Sequence, residues 1–195
     1  MSGTDTLSPT ALIEALVFSS PQPVSVDELA SATGLTTEET ETAIAELQEQ
    51  MMERGLRLQR NRNRLQLVSA PGAAPYVEEL LGLDVTLRLT QAAMETLAIV
   101  AYAQPVTRPQ IESIRGVNSD STIRTLLSAG LIEDRGRADT LGRPILYGTT
   151  FEFLQQFGLE RPTDLPPLKD GDGKDAGATE GIDVESRAGG NGASP

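Results

Sequence analysis

Arg54, Arg57, Arg60, Arg62 and Arg64 are the only basic residues among the first 81, and Arg60, Arg62 and Arg64 alternate with Asn61 and Asn63. The chemistry open to such a cluster is contact with phosphates or a minor groove. The competing role is a solvated, positive turn that balances an acidic helix beside it. A second group gathers Thr107, Arg115, Asn118, Ser119 and Asp120 around one turn, with Arg143 further on. Hydroxyls and a carboxylate there can cap helices, and the arginines add charge to the same surface.

Other chemistry is closed off. The 195 residues include no histidine and no cysteine. The commonest general base, the thiolate nucleophile, the usual zinc ligands and disulfides are therefore absent. Catalysis by carboxylates alone needs paired acids in a shielded pocket, and the acids here fall mostly on polar helix faces. The expectation is a non-enzymatic protein that needs no cofactor or metal. Net charge is −12. Residues 1–81 carry 12 acids against 5 arginines, residues 82–168 carry 10 against 8, and the tail from Lys169 carries 6 against 3 bases. No part is basic, unlike most nucleic-acid-binding domains. The start is polar and no apolar run approaches the ~20 residues of a membrane helix, so a cytoplasmic protein without membrane contact is expected.

The elements that must position these residues occur twice. Gln22-Pro23-Val24 recurs as Gln104-Pro105-Val106, 82 positions on, and in the same register Ser25, Glu28 and Gly34 recur as Thr107, Gln110 and Gly116. A repeat of this kind signals two copies of one small fold. In copy one, Ser8 and Pro9 start a helix with Leu12, Ile13, Leu16 and Val17 on one face. Gln22-Pro23 makes a turn. Ser25-x-x-Glu28 is a capping box for a second helix stopped by Gly34, and Thr36-x-x-Glu39 opens a third that stops at Gly55. Ala43, Ile44, Leu47 and Met51 form its apolar side. Leu56, Leu58, Leu65 and Leu67 alternate with polar residues around an arginine-rich tip, as in a hairpin. An amphipathic segment, Tyr76 to Leu81, closes the unit. Copy two repeats the order. Thr90 caps the first helix and Thr107-x-x-Gln110 the second. Ser119 or Asn118 caps the third, whose buried side is Ile123, Leu126 and Leu127. A hairpin and a last helix capped by Thr149 follow.

Three helices and a hairpin make a winged helix. The predicted fold is mostly α with small β-hairpins (α+β), two winged-helix domains in tandem. A flexible start (1–7) precedes the first domain (8–81). A linker (82–88) leads to the second (89–160), and an extension (161–195) is disordered from about 169 because it lacks apolar residues. The third helix of copy one is about seven residues longer than that of copy two. It carries Glu38, Glu39, Glu41, Glu46, Glu49 and Glu53 against one terminal Arg54, which opposes entry into a DNA groove.

Copy two carries a long, specific pattern. It runs through Leu97-Ala98-Ile99-Val100-Ala101-Tyr102-Ala103-Gln104-Pro105-Val106-Thr107-Arg108, Ile114-Arg115-Gly116-Val117-Asn118-Ser119-Asp120, Arg124-Thr125-Leu126-Leu127, Gly130-Leu131-Ile132-Glu133 and Gly142-Arg143-Pro144-Ile145-Leu146-Tyr147-Gly148-Thr149-Thr150. It strongly resembles the segregation and condensation protein B (ScpB) family, over roughly residues 8–168. Ala103 and Leu141 depart from residues common in that family. The resemblance implies a subunit of a bacterial condensin-like complex with an SMC ATPase and the kleisin ScpA, acting in chromosome condensation and partition at the nucleoid. It implies a homodimer joined through the first winged helix, for which the lengthened acidic helix offers surface, and a second winged helix that holds ScpA. Thr107, Arg115, Asn118, Ser119, Asp120 and Arg143 are the expected partner-facing residues. Arg60, Arg62 and Arg64 are candidates for weak DNA contact. The rival reading is a tandem winged-helix transcription regulator, which requires a basic third helix.

Overall fold

The computed structural model describes residues 7–82 and 89–168. Residues 1–6, 83–88 and 169–195, which hold most of the expected flexible start, the linker and the acidic tail, lie outside the described residues. The first copy runs α1 (Pro9–Ser19), β1 (Val24–Ser25), α2 (Val26–Thr33), α3 (Thr37–Met51), β2 (Leu56–Asn61) and β3 (Arg64–Ser69). A 3-10 turn then leads into α4 (Ala74–Leu81). The second runs α5 (Gln91–Ala103), β4 (Val106–Thr107), α6 (Arg108–Arg115), α7 (Asp120–Ser128), β5 (Ile132–Arg137), β6 (Ile145–Thr149) and α8 (Phe151–Gln156). This is the α+β winged-helix architecture expected from the repeat. The described residues up to Leu165 form one compact unit.

The repeated frame is built as its residues require. Ser25 and Thr36 accept from the third backbone N–H of their helices, and Glu28 and Glu39 reach back to the cap N–H. Gly34 and Gly116 end α2 and α6 at φ +74° and +70°, the left-handed region that glycine enters without a Cβ penalty. The recurring Gln-Pro-Val does more than turn. Val24-Ser25 and Val106-Thr107 are two-residue strands that add a third, antiparallel member to each hairpin, in the orders β1-β3-β2 and β4-β6-β5. Val24 pairs with Leu65 and Val106 with Tyr147, so the 82-residue offset extends to the closing strand.

Each copy has its own core. Ile13, Val17, Leu29, Ile44, Leu47, Met51, Leu58 and Leu65 fill the first, and Leu97, Val100, Ile111, Ile123, Leu126, Ile132, Phe153 and Leu154 the second. Each such side chain contributes about 1.5–3 kcal/mol on burial.

Several expectations are corrected. Helix α3 ends at Met51, short of Gly55, leaving Glu53 and Arg54 outside it. The Arg57 guanidinium there collects the carbonyls of Met51, Met52 and Arg54, which satisfies acceptors a helix end leaves open. Helices α3 and α7 have 15 and 9 residues, a difference of six. The first hairpin turns on Arg62-Asn63 alone, and Arg60 and Arg64 lie in strands. Leu127 is 37% exposed, because α7 turns only Ile123 and Leu126 inward. Thr150 caps α8 in place of Thr149, whose carbonyl and hydroxyl are engaged elsewhere. Helix α4 buries none of its side chains.

Candidate partner-binding site

The corner between α6 and α7 is held from inside. Arg115 closes α6 with a side chain only 8% exposed. Its Nη1 donates to Ser119 Oγ at 3.1 Å, and its Nη2 faces Glu95 of α5 at 3.4 Å. Ser119 is wholly buried and does not cap α7 with its side chain. Its hydroxyl belongs to Arg115, and its N–H donates to Glu112 Oε1 at 3.0 Å. Asn118 takes over at the helix start, its Oδ1 accepting from Asp120 N–H at 3.1 Å. Thr107 is buried too, bonded through its N–H and hydroxyl to Gln110 Oε1. Arg115 has one donor, Nε, without a hydrogen-bond partner among the described residues.

Outside this frame runs a charged rim. Asp120 takes Arg108 on one oxygen at 2.9 Å and Arg124 on the other at 2.7 Å. The same corner carries two large exposed apolar side chains, Ile114 at 61% and Val117 at 55% exposure. Sequence reading placed no weight on them, although they flank Arg115 in the family pattern. The structure thus joins Arg115, Asn118, Ser119 and Asp120 at one corner and puts Thr107 at the start of α6. Arg143 lies apart, exposed in the β5–β6 tip at φ +42°, its carbonyl accepting from Arg137.

The arginines of the first wing are largely occupied. Arg60 holds Glu41 of α3 through two hydrogen bonds of 2.5 and 2.7 Å. That contact draws the Glu41 carboxyl below its ordinary value. Arg54 faces Glu14 and Arg57 faces Glu160. Arg62 and Arg64 are exposed. Three of the α3 glutamates have structural duties: Glu39 in its capping box, Glu41 on Arg60, and Glu46 accepting from Thr10 at 2.7 Å. No group of acids suited to a metal occurs among the described residues. None of the described helices is long and apolar enough to cross a membrane.

Two winged helices in tandem, the first with an acidic third helix, define the class of protein. The chain belongs to the family of segregation and condensation complex subunits called ScpB, whose sequence model matches residues 11–168. It is a non-enzymatic subunit of that complex, which serves chromosome segregation and condensation. It is 44% identical to segregation and condensation protein B of Symbiobacterium thermophilum over 160 residues, 81% of this chain and 73% of that one. It is 46% identical to the protein of the same name from Carboxydothermus hydrogenoformans, over 80% of this chain and 85% of that one. The crystal structure of ScpB from Mycobacterium tuberculosis is similar at 36% identity, over 81% of this chain and 99% of that one, with a TM-score of 0.38.

Proposed function

We propose that the chain binds the kleisin ScpA through its second winged helix, joins an SMC ATPase through that kleisin, and pairs with a second copy through its first. In this reading it works at the nucleoid in the cytoplasm. The observation that carries the kleisin surface is the α6–α7 corner. Ile114 and Val117 stand exposed on a backbone fixed by Arg115 and Ser119, and rigid apolar anchors ringed by polar groups are what protein partners bury. Asn118, Asp120, Arg108 and Arg124 supply the polar groups of this corner. Thr107, Arg115 and Ser119 then serve binding from behind, by holding the corner. Calorimetric titration with ScpA tests this: Ile114→Glu and Val117→Glu should each weaken binding at least tenfold with an unchanged melting curve. Unaltered affinity in both would remove this surface.

Pairing is supported by a groove of about 360 Å³ that mixes apolar residues, among them Val17, Phe18, Leu56 and Leu67, with polar ones such as Gln22 and Gln66, and in which Phe18 is 77% exposed. A self-complementary contact suits such a surface better than the acidic outer side of α3, where two copies would repel. Phe18→Glu should give a monomer in sedimentation equilibrium, and a persistent dimer would place the contact elsewhere. DNA contact is a minor role here, since Arg60 is engaged with Glu41 and leaves Arg62 and Arg64. An Arg60/Arg62/Arg64→Ala variant with unchanged DNA affinity at two salt concentrations would eliminate it.

A further inference from the structure

The first wing is not free at its outer edge. Strand β2 lies at the border of its sheet, and its polar side chains are buried against the second copy. Gln59 is 2% exposed and Asn61 5%. Arg57 Nε meets Glu160 Oε1 at 3.0 Å, and Gln59 Nε2 donates to the Leu159 carbonyl at 2.7 Å. The Arg60 N–H donates to the Glu160 carbonyl at 2.9 Å. At the centre Asn61 Nδ2 donates to the Thr149 carbonyl at 3.0 Å, and Asn61 Oδ1 accepts from Arg135 Nη2 at 3.2 Å. The same Arg135 nitrogen donates to the Thr149 carbonyl and faces Glu133 at 2.9 Å. One asparagine from the first copy is thereby held by a strand-borne arginine and a strand-end carbonyl of the second.

The surroundings are shaped to this contact. Gly148 lies under Arg135, and a Cβ added there would come within 3.0 Å of Arg135 Nε, 3.1 Å of its Cγ and 3.1 Å of Gln104 Oε1. The β5–β6 register shifts between Asp134 and Arg137, the point from which Arg135 projects; such irregularities re-aim a side chain. The closed contact is not fully satisfied. Arg135 Nε is buried without a hydrogen-bond partner among the described residues, and burial disfavours the Arg135 cation, an effect that Glu133 opposes and Arg62 adds to slightly. An unmet buried donor weakens the arrangement that buries it, so the contact is firm in geometry yet open to release.

We propose that Arg135 and Asn61 form a latch between the two winged helices, fixing their mutual orientation, with Arg135 as the positioning residue. Its polar character suits the role, because polar surfaces can separate into water where an apolar seam could not. The latch would set the angle between whatever the two winged helices hold, whichever partners those are.

The chain has no cysteine, so a Ser31→Cys/Ser128→Cys pair, on the exposed faces of α2 and α7, takes spin labels without background. Double electron–electron resonance on the full-length labelled chain, mixed with an excess of unlabelled chain so that any pair of copies carries a single labelled member, should give one narrow distance distribution. Arg135→Ala and Asn61→Leu should each broaden it at least twofold, with the circular dichroism of the helices retained. Gly148→Ala displaces Arg135 without removing a polar group and should do the same, which keeps the test decisive if Arg135→Ala does not fold. A distribution already broad in the parent, or unchanged in Asn61→Leu and Gly148→Ala, overturns the latch.

Discussion

Arg60 on the first wing grips Glu41 on the third helix through two parallel hydrogen bonds. This fixes the wing against the helix and lowers the Glu41 pKa from its ordinary 4.5, chiefly through the Arg60 hydrogen bonds. A carboxylate whose folded value is depressed adds stability above its unfolded value and loses it as pH falls through the folded one. The Glu41–Arg60 contribution is therefore whole above about pH 4.5 and fades below. Because Glu41 is 39% exposed on its side chain, solvent screening limits the contribution to about 0.5–1 kcal/mol. Arg60→Ala should lower stability by that amount at pH 7, and the difference from the parent should shrink toward pH 3 in urea titrations.

Arg115 and Ser119 give a second expectation. Ser119→Ala removes the acceptor of Arg115 Nη1 and should cost about 1–3 kcal/mol. Arg115→Glu, by placing a carboxylate in the same buried site beside Glu95 and Glu112, should cost more. Asn118→Ala removes only the cap at the start of α7 and should cost about 0.5–1 kcal/mol. Urea midpoints of the three variants order these effects directly.

The two helix-ending glycines should behave alike. Alanine at Gly34 or Gly116 meets open space, so its cost comes from the left-handed backbone alone, about 1 kcal/mol. Thermal melts of Gly34→Ala and Gly116→Ala should show equal, modest losses.

The adjacent leucines of α7 should differ. Leu126 is fully buried while Leu127 faces outward. Leu126→Ala is expected to cost about 2–5 kcal/mol through the cavity it leaves. Leu127→Ala should change stability by less than about 1 kcal/mol. Equal losses in chemical denaturation would contradict the orientation of the helix.

Much of the fold was legible where a local rule settles it. Capping at Ser25 and Thr36, the stops at Gly34 and Gly116, and the spacing of Ile44, Leu47 and Met51 all act within one or two helical turns. The short strands Val24-Ser25 and Val106-Thr107 were not, since two residues carry no alternation and exist only through partners far along the chain. The role of Arg115 was missed for a related reason. A terminal arginine reads as surface, and only the tertiary placement of Glu95 and Ser119 turns it inward. Ile114 and Val117 escaped notice because exposed and buried apolar residues look the same at the end of a short helix and in the corner after it. The Asn61–Arg135 contact joins side chains 74 positions apart, which no local pattern encodes.

The two short strands have one more consequence. Val24 meets Leu65 and Val106 meets Tyr147, the same separation of 41 residues in each copy. The contents of those stretches differ. One holds the longer helix and a two-residue tip, the other the shorter helix and a seven-residue tip at 138–144. Loop-closure entropy depends on contour length, growing as (3/2)RT ln n. Both copies therefore meet the same entropic barrier when the third strand joins, and this pairing contributes equally to their contact order. Helix and hairpin have exchanged length without altering the ring each winged helix must close.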